Sequence, residues 1–403
     1  MSILRNEINP AARSPSLTLQ DKTSRIVWLV FLGVVFGSFF HTMLSVKTYR
    51  FEIAGQFLVW GAVVACGYCL AAFFSPRLGQ RKLLAVVLMS LNLYVVLNLL
   101  LMALGVEILE PKLPLSDNTS TMLSLLGITR DRVFFPLSEG INTFGIIAGA
   151  SFVVAFMNMR DQSSSRWLRI SAGFFGAASL VALFLVDSRL ALIGAVLIPF
   201  LLTVWPAQKL RYIRFLPLFS PVFPIVLVLA IRMISASSPV NELARSSADM
   251  MTLNSRTIYW HLTWERIATF IPRHLIGYGF YGHRSSGLVA DMLAVLPPVA
   301  DANRLHPHNA LLQYWIDTGY FGLIVFIGVF VTLIQRAEEL WSRGRGRVPN
   351  ACLGFILYLL TIGTTENIPT AYSRVIFAVF LLMGFLLVWP RDSKNLDQDQ
   401  GLP

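Results

Sequence analysis

Three stretches of this sequence carry side chains suited to chemistry. They are Arg189 in Asp187-Ser188-Arg189, Arg256 in Asn254-Ser255-Arg256, and the run His306-Pro307-His308-Asn309. A guanidinium presents a planar fork of donors that matches phosphate oxygens, so fixed arginines can stabilise charge growing on a departing phosphate group. A histidine, with an unperturbed pKa near about 6.5, can take the proton of an attacking hydroxyl. Each residue has a plainer reading. Arg189 can mark a helix hairpin and snorkel to water, and Arg256 can be a solvated loop arginine. The two histidines can simply precede a helix that Asn309 caps. The residues alone leave both sets of readings open.

Other patterns carry less. His306 and His308 with Asp301 or His283 would make a poor zinc site, because His-x-His without a nearby cysteine is a weak signature. No clustered carboxylates suited to Mg²⁺ stand on the same side, so no metal and no cofactor is expected. Gly277 to Gly282 fits G-x-G-x-x-G, yet no strand precedes it, so it reads as a tight loop after Pro272 rather than a dinucleotide site. Cys66 and Cys69 fall inside an apolar run, where small buried packing residues are expected rather than a redox pair.

The elements that position these residues follow from composition. Of 403 residues 55% are apolar and only 14% charged, with a mean hydropathy of +0.63. A soluble domain carries about 25% charged residues. This composition excludes an ordinary cytosolic enzyme and predicts an all-α polytopic membrane protein. A helix needs about 20 apolar residues to cross a bilayer. Ten spans are expected, within a range of nine to twelve, at 26–44, 51–74, 83–106, 141–158, 170–186, 190–205, 216–234, 309–334, 351–364 and 375–390. The corresponding organisation is a basic tail (1–25), a first membrane bundle (26–234), a long polar loop (235–307), further membrane helices (308–390) and a second tail (391–403). No cleavable signal peptide is expected.

Basic residues set the sidedness. With the N-terminus in the cytoplasm, 19 Lys and Arg fall inside and, setting aside the long loop, 7 fall outside. This is the bias that inward-facing loops show. The net charge of +11 is therefore loop asymmetry, and no nucleic-acid partner is expected. Both termini are cytoplasmic in this reading, and the long loop lies on the outer face. A loop of that length is usually functional. Residues 258–271 show helix-like spacing, and 288–299 are apolar enough to lie on the membrane or cap a cavity. The spans are expected to hold no mid-membrane charge, only His41 and Glu52 near their ends. That weighs against the alternative of a transporter or flippase for a lipid-linked saccharide.

Taken together, Val186 to Leu192, Leu253 to Trp260, Leu275 to Phe280, His306 to Leu312 and Asp317 to Gly322 resemble the O-antigen ligase/polymerase superfamily of bacterial envelope glycosyltransferases. The resemblance covers about residues 130–330. It implies transfer of a glycan from an undecaprenyl-diphosphate carrier to a glycan or lipid A-core acceptor. The reaction would run at the periplasmic face of the inner membrane, alongside polysaccharide-assembly proteins. By the same resemblance, Arg189, Arg256 and His308 would be catalytic. Arg189 and Arg256, with Arg132, His306 and Asn309, would bind substrate. With no carboxylate standing out as a nucleophile, a single inverting displacement is expected. The residues do not separate polymerase from ligase.

Overall fold

The computed structural model describes residues 19–106, 120–125, 127–160, 165–204, 212–220, 222, 226, 256–295, 305–342 and 347–389. Among them the regular structure is helical, as the composition predicts. Among the described residues nine apolar helices form the bundle: α1 (Leu19–Ser45), α2 (Arg50–Cys69), α3 (Gln80–Ala103), α4 (Ile141–Met159), α5 (Arg166–Val186), α6 (Arg189–Val204), α9 (Ala310–Ser342), α10 (Arg347–Ile362) and α11 (Arg374–Val388). Two more helices, α7 (Arg256–Ala268) and α8 (Leu288–Val295), lie in the long loop. By length and apolar content six of the bundle helices can cross a membrane, and α6, α10 and α11 are shorter apolar helices. The protein is a polytopic membrane protein. Of the expected span 216–234 only 216–220, 222 and 226 are described, with a helical turn at Leu216–Phe219. Asp301, residues 1–18 of the first tail and the whole second tail lie outside the described residues.

The helices alternate in direction, which gives the bundle two ends. At one end Arg81 donates to the Leu340 carbonyl, and Arg336 pairs with Asp21 and Glu339 at 2.8 and 2.6 Å, tying α1 to α9. There too Arg160 of α4 donates to Thr203 of α6. The candidate residues gather at the other end. The helix α6 finishes at the first end and α7 sits at the second.

Aromatic and aliphatic side chains fill the interior. Trp28, Phe31, Phe330 and Phe380 pack ring against ring between α1, α9 and α11. Small residues let helices approach: Tyr358 of α10 lies against Gly149 and Gly194 and donates to the Ile146 carbonyl at 3.2 Å, drawing α10 onto α4 and α6. Phe51, Phe174 and Ile324 stand exposed on the outside. This is the pattern of a lipid-facing surface, since lipid tails are as apolar as the core. Cys66 and Cys69 correct one expectation. They are exposed, because α2 is apolar all round and buries only Ile53, Trp60 and Gly67. Periodicity cannot assign a face on such a helix.

The start of α9 departs from a regular helix. Gly319 has φ +70° and ψ −169°, which breaks the ladder. The freed carbonyls of Ile316 and Asp317 accept instead from Tyr278 N (2.9 Å) and Gly279 N (2.8 Å). The G-x-G-x-x-G run is thus a wedge seated in a helix break. Gly277 has φ +78°, and an added Cβ would lie 2.5 Å from the Asp317 carbonyl. Only glycine fits there.

Candidate active site

The centre of the site is a carboxylate that the motifs did not single out. Glu366 lies in the polar connection between α10 and α11. One of its oxygens bonds Arg256 Nη2, and the other lies 3.2 Å from His308 Nδ1. Burial pushes this carboxyl up, but the Arg256 charge and the His308 contact outweigh it and hold it below its ordinary value. Glu366 is therefore ionised at neutral pH and clamps both partners. His308 has a left-handed backbone, φ +48°, and its ring stacks near Tyr259 and against His306, with centroids at 5.8 and 3.9 Å. The side chains of His308 and Arg256 remain 23% and 15% exposed, enough to meet a substrate at the rim.

His306 accepts from the His308 backbone N–H through Nδ1 at 3.2 Å. Its pKa is held well below 6.5, first by burial and then by neighbouring charge from His308, His283, Arg256 and Arg284. It is a neutral packing partner of His308. Asn309 is buried and turned inward. Its Oδ1 accepts from Leu312 N at 3.0 Å, the cap expected from its position, and its Nδ2 donates to the Thr364 carbonyl at 2.7 Å. Fixing α9 to the Glu366 connection is its visible work.

Beneath this layer a buried polar network holds the geometry. Asp317 Oδ1 accepts from Gly282 N and Gln313 Nε2, both at 2.8 Å, and Oδ2 accepts from the Tyr372 hydroxyl at 3.0 Å. Gln313 also reaches His283 Nδ1 at 3.1 Å and Asn367 at 3.3 Å, and Asn367 accepts from Asn309 N at 2.9 Å. Burial and the Arg284 charge lower His283 to about 3, so it is neutral. Asp317 is an ionisable group in a span beyond the His41 and Glu52 expected near span ends. It is 6% exposed, inside α9 at the break, where the wedge and the α10–α11 connection supply its donors. A cavity of about 20 Å³ borders Asp317, Phe280 and Tyr372. It has room for one water rather than a sugar.

Arg189 and Arg132 form a second group at the same end. Asp187 closes α5 in the left-handed conformation (φ 51°), and Arg189 opens α6 with Nε 3.9 Å from Asp187 Oδ1. Its side chain is 29% exposed beside the N-terminus of α6, where backbone N–H groups favour anions. Arg132 donates Nε to the Val186 carbonyl at 2.9 Å and Nη2 to Asn142 at 3.2 Å, sealing this hairpin. The contact of Gly194 with Ile362 joins α6 to α10 and hence this group to the Glu366 connection.

Glu366, Tyr372 and Asn367 escaped the sequence reading because they sit in a short connection far downstream of every motif. The available signal was a polar stretch, Thr364 to Ser373, between two apolar helices on the same face as the long loop. Among the described residues no three His, Cys, Asp or Glu side chains form a metal-holding group.

No curated protein matches the chain. A family model described as O-antigen ligase matches residues 174–327, a stretch holding Arg189, Arg256, His306, His308 and the broken start of α9. Over that stretch the chain is similar to the O-antigen ligase/polymerase superfamily of membrane glycosyltransferases.

Proposed function

We propose that the protein transfers a glycan from an undecaprenyl-diphosphate carrier to an acceptor hydroxyl at the periplasmic face of the bacterial inner membrane. The observation that carries this reading is the bridge Arg256–Glu366–His308 at the rim of the bundle. A carboxylate on Nδ1 fixes the tautomer with its proton there and leaves Nε2 as the basic nitrogen. His308 Nε2 takes the acceptor proton as the hydroxyl oxygen attacks the anomeric carbon. The bond from that carbon to the diphosphate oxygen breaks, and its electron pair leaves with the diphosphate. Arg189, the α6 N-terminus and the remaining donors of Arg256 stabilise the charge that develops. Arg132 positions the Arg189 hairpin, and His306 packs the base. Attack opposite the leaving group inverts the anomeric centre, and arginines in place of a divalent ion make the reaction metal-independent.

The test is the surface glycan of a deletion strain, complemented with wild type or with His308→Ala. In the proposed reading only wild type restores it. Cores capped by one repeat unit identify a polymerase, whereas bare cores with accumulated carrier-linked polymer identify a ligase. Unchanged glycan in the deletion strain contradicts the reading.

A further inference from the structure

Among the described residues, the non-glycine residues with a left-handed backbone are Asp187, His308 and Tyr281. Two of them belong to the groups described above. A bulky residue with positive φ (63° at Tyr281) persists only where its surroundings enforce it, and such positions cluster at functional sites. Here the Tyr281 backbone N–H is held by the Tyr372 hydroxyl at 2.9 Å, so the strain is imposed by the same network that supports Asp317. The result directs the phenol to the rim. Its hydroxyl donates to Glu52 Oε1 at 2.5 Å at the start of α2, and the Arg284 guanidinium lies 4.3 Å above its ring.

This trio is linked to His308 through a chain of rings. Ring centroids step from Tyr281 to His283 (5.9 Å), to His306 (6.5 Å) and to His308 (3.9 Å). The Arg284 charge is felt at both Tyr281 and His306. The chemistry of the trio differs from that of the arginine hairpin. A carboxylate beside a guanidinium and a phenol repels a diphosphate but suits sugar hydroxyls, each of which both donates and accepts. The mixed rim extends to Arg374, whose Nε lies 3.6 Å from Glu139.

We propose that Glu52, Tyr281 and Arg284 form a saccharide-binding subsite that holds the acceptor glycan beside His308. This rests on the transferase reading above. Sugar hydroxyls are also present on the donor glycan, so the experiment varies the two separately. Purified full-length protein is assayed with carrier-linked oligosaccharide extracted from the deletion strain and with oligosaccharide released from the host's own surface glycan. Glu52→Gln and Arg284→Gln should each raise the acceptor KM about tenfold, the loss of one hydrogen bond to a charged group, with the donor KM at the wild-type value. Tyr281→Phe should show a smaller rise, about threefold. An unchanged acceptor KM in both charge variants, or a rise confined to the donor KM, overturns the proposal. Binding of the released oligosaccharide, followed by tryptophan fluorescence, needs no turnover and so separates the two readings. Weaker binding by Glu52→Gln and Arg284→Gln supports the subsite even if transfer fails, and binding equal to wild type overturns it.

Discussion

Glu366 Oε2 stands 3.2 Å from His308 Nδ1 across 58 residues of sequence, while Arg256 holds the other oxygen of the same carboxylate. The pairing brings together the long loop, the start of α9 and the connection between α10 and α11. A base oriented by a third group is the arrangement that activates hydroxyl nucleophiles in many enzymes. Here the carboxylate is itself held ionised by an arginine, so the His308 ring has a fixed tautomer and a fixed direction.

Glu366→Gln keeps the shape but removes the charge and the acceptor that fixes Nδ1–H. Transfer should fall by about 10²-fold or more, the scale of a misoriented general base. The amide is preferred to alanine, which would leave Arg256 charged and unpaired in a partly buried position. Steady-state rates on protein of unchanged melting temperature check this.

Arg189→Lys keeps a positive charge but loses the planar fork. Donor turnover should drop by about tenfold or more. In the proposed reaction arginines meet the diphosphate in place of a divalent ion, so the rate of wild type should be unaffected by EDTA. Initial rates with carrier-linked donor, with and without EDTA, measure both effects.

Much of this architecture could be read from residue order, and the failures share a cause. Long apolar runs define helices such as α1, α3 and α4 because crossing a bilayer demands length and satisfied backbone. Asn309 was legible as a cap because capping is local. Arg189, Arg256 and His308 stood out as polar groups against apolar surroundings. Glu366, Tyr372 and Asn367 did not, since their roles depend on contacts with residues more than fifty positions away. The same holds for Asp317, whose donors Gly282 and Tyr372 lie more than thirty positions away. The exposed faces of Cys66 and Cys69 were unreadable because α2 has no polar stripe.

The buried histidines give the folded state an acid limit. His283 is neutral in the fold, with a pKa lowered to about 3 from an ordinary 6.5. Between those values the unfolded chain binds the proton and the folded one does not. Stability is therefore complete above about pH 6.5 and falls as pH drops toward 3. Glu366, held below its ordinary 4.5, adds a loss of the same sign at lower pH. Melting temperatures from pH 7 to pH 4 should decline in wild type and less steeply in His283→Asn.

Gly319→Ala should destabilise the protein, because φ is positive there and the added Cβ would lie 2.4 Å from the Leu275 backbone. A loss of about 2 kcal/mol or more is expected from strain and collision together. Gly33→Ala on α1 meets nothing within 4 Å and should leave the melting temperature near the wild-type value. Thermal unfolding of the two variants side by side tests whether the break in α9 is required by the wedge.

The most direct measurement is single-turnover transfer by His308→Ala with carrier-linked donor and acceptor both saturating, alongside donor binding by the same variant. Donor affinity near wild type with transfer reduced by about 10²-fold or more is the expected result. Transfer at the wild-type rate without the imidazole would contradict the account at its centre.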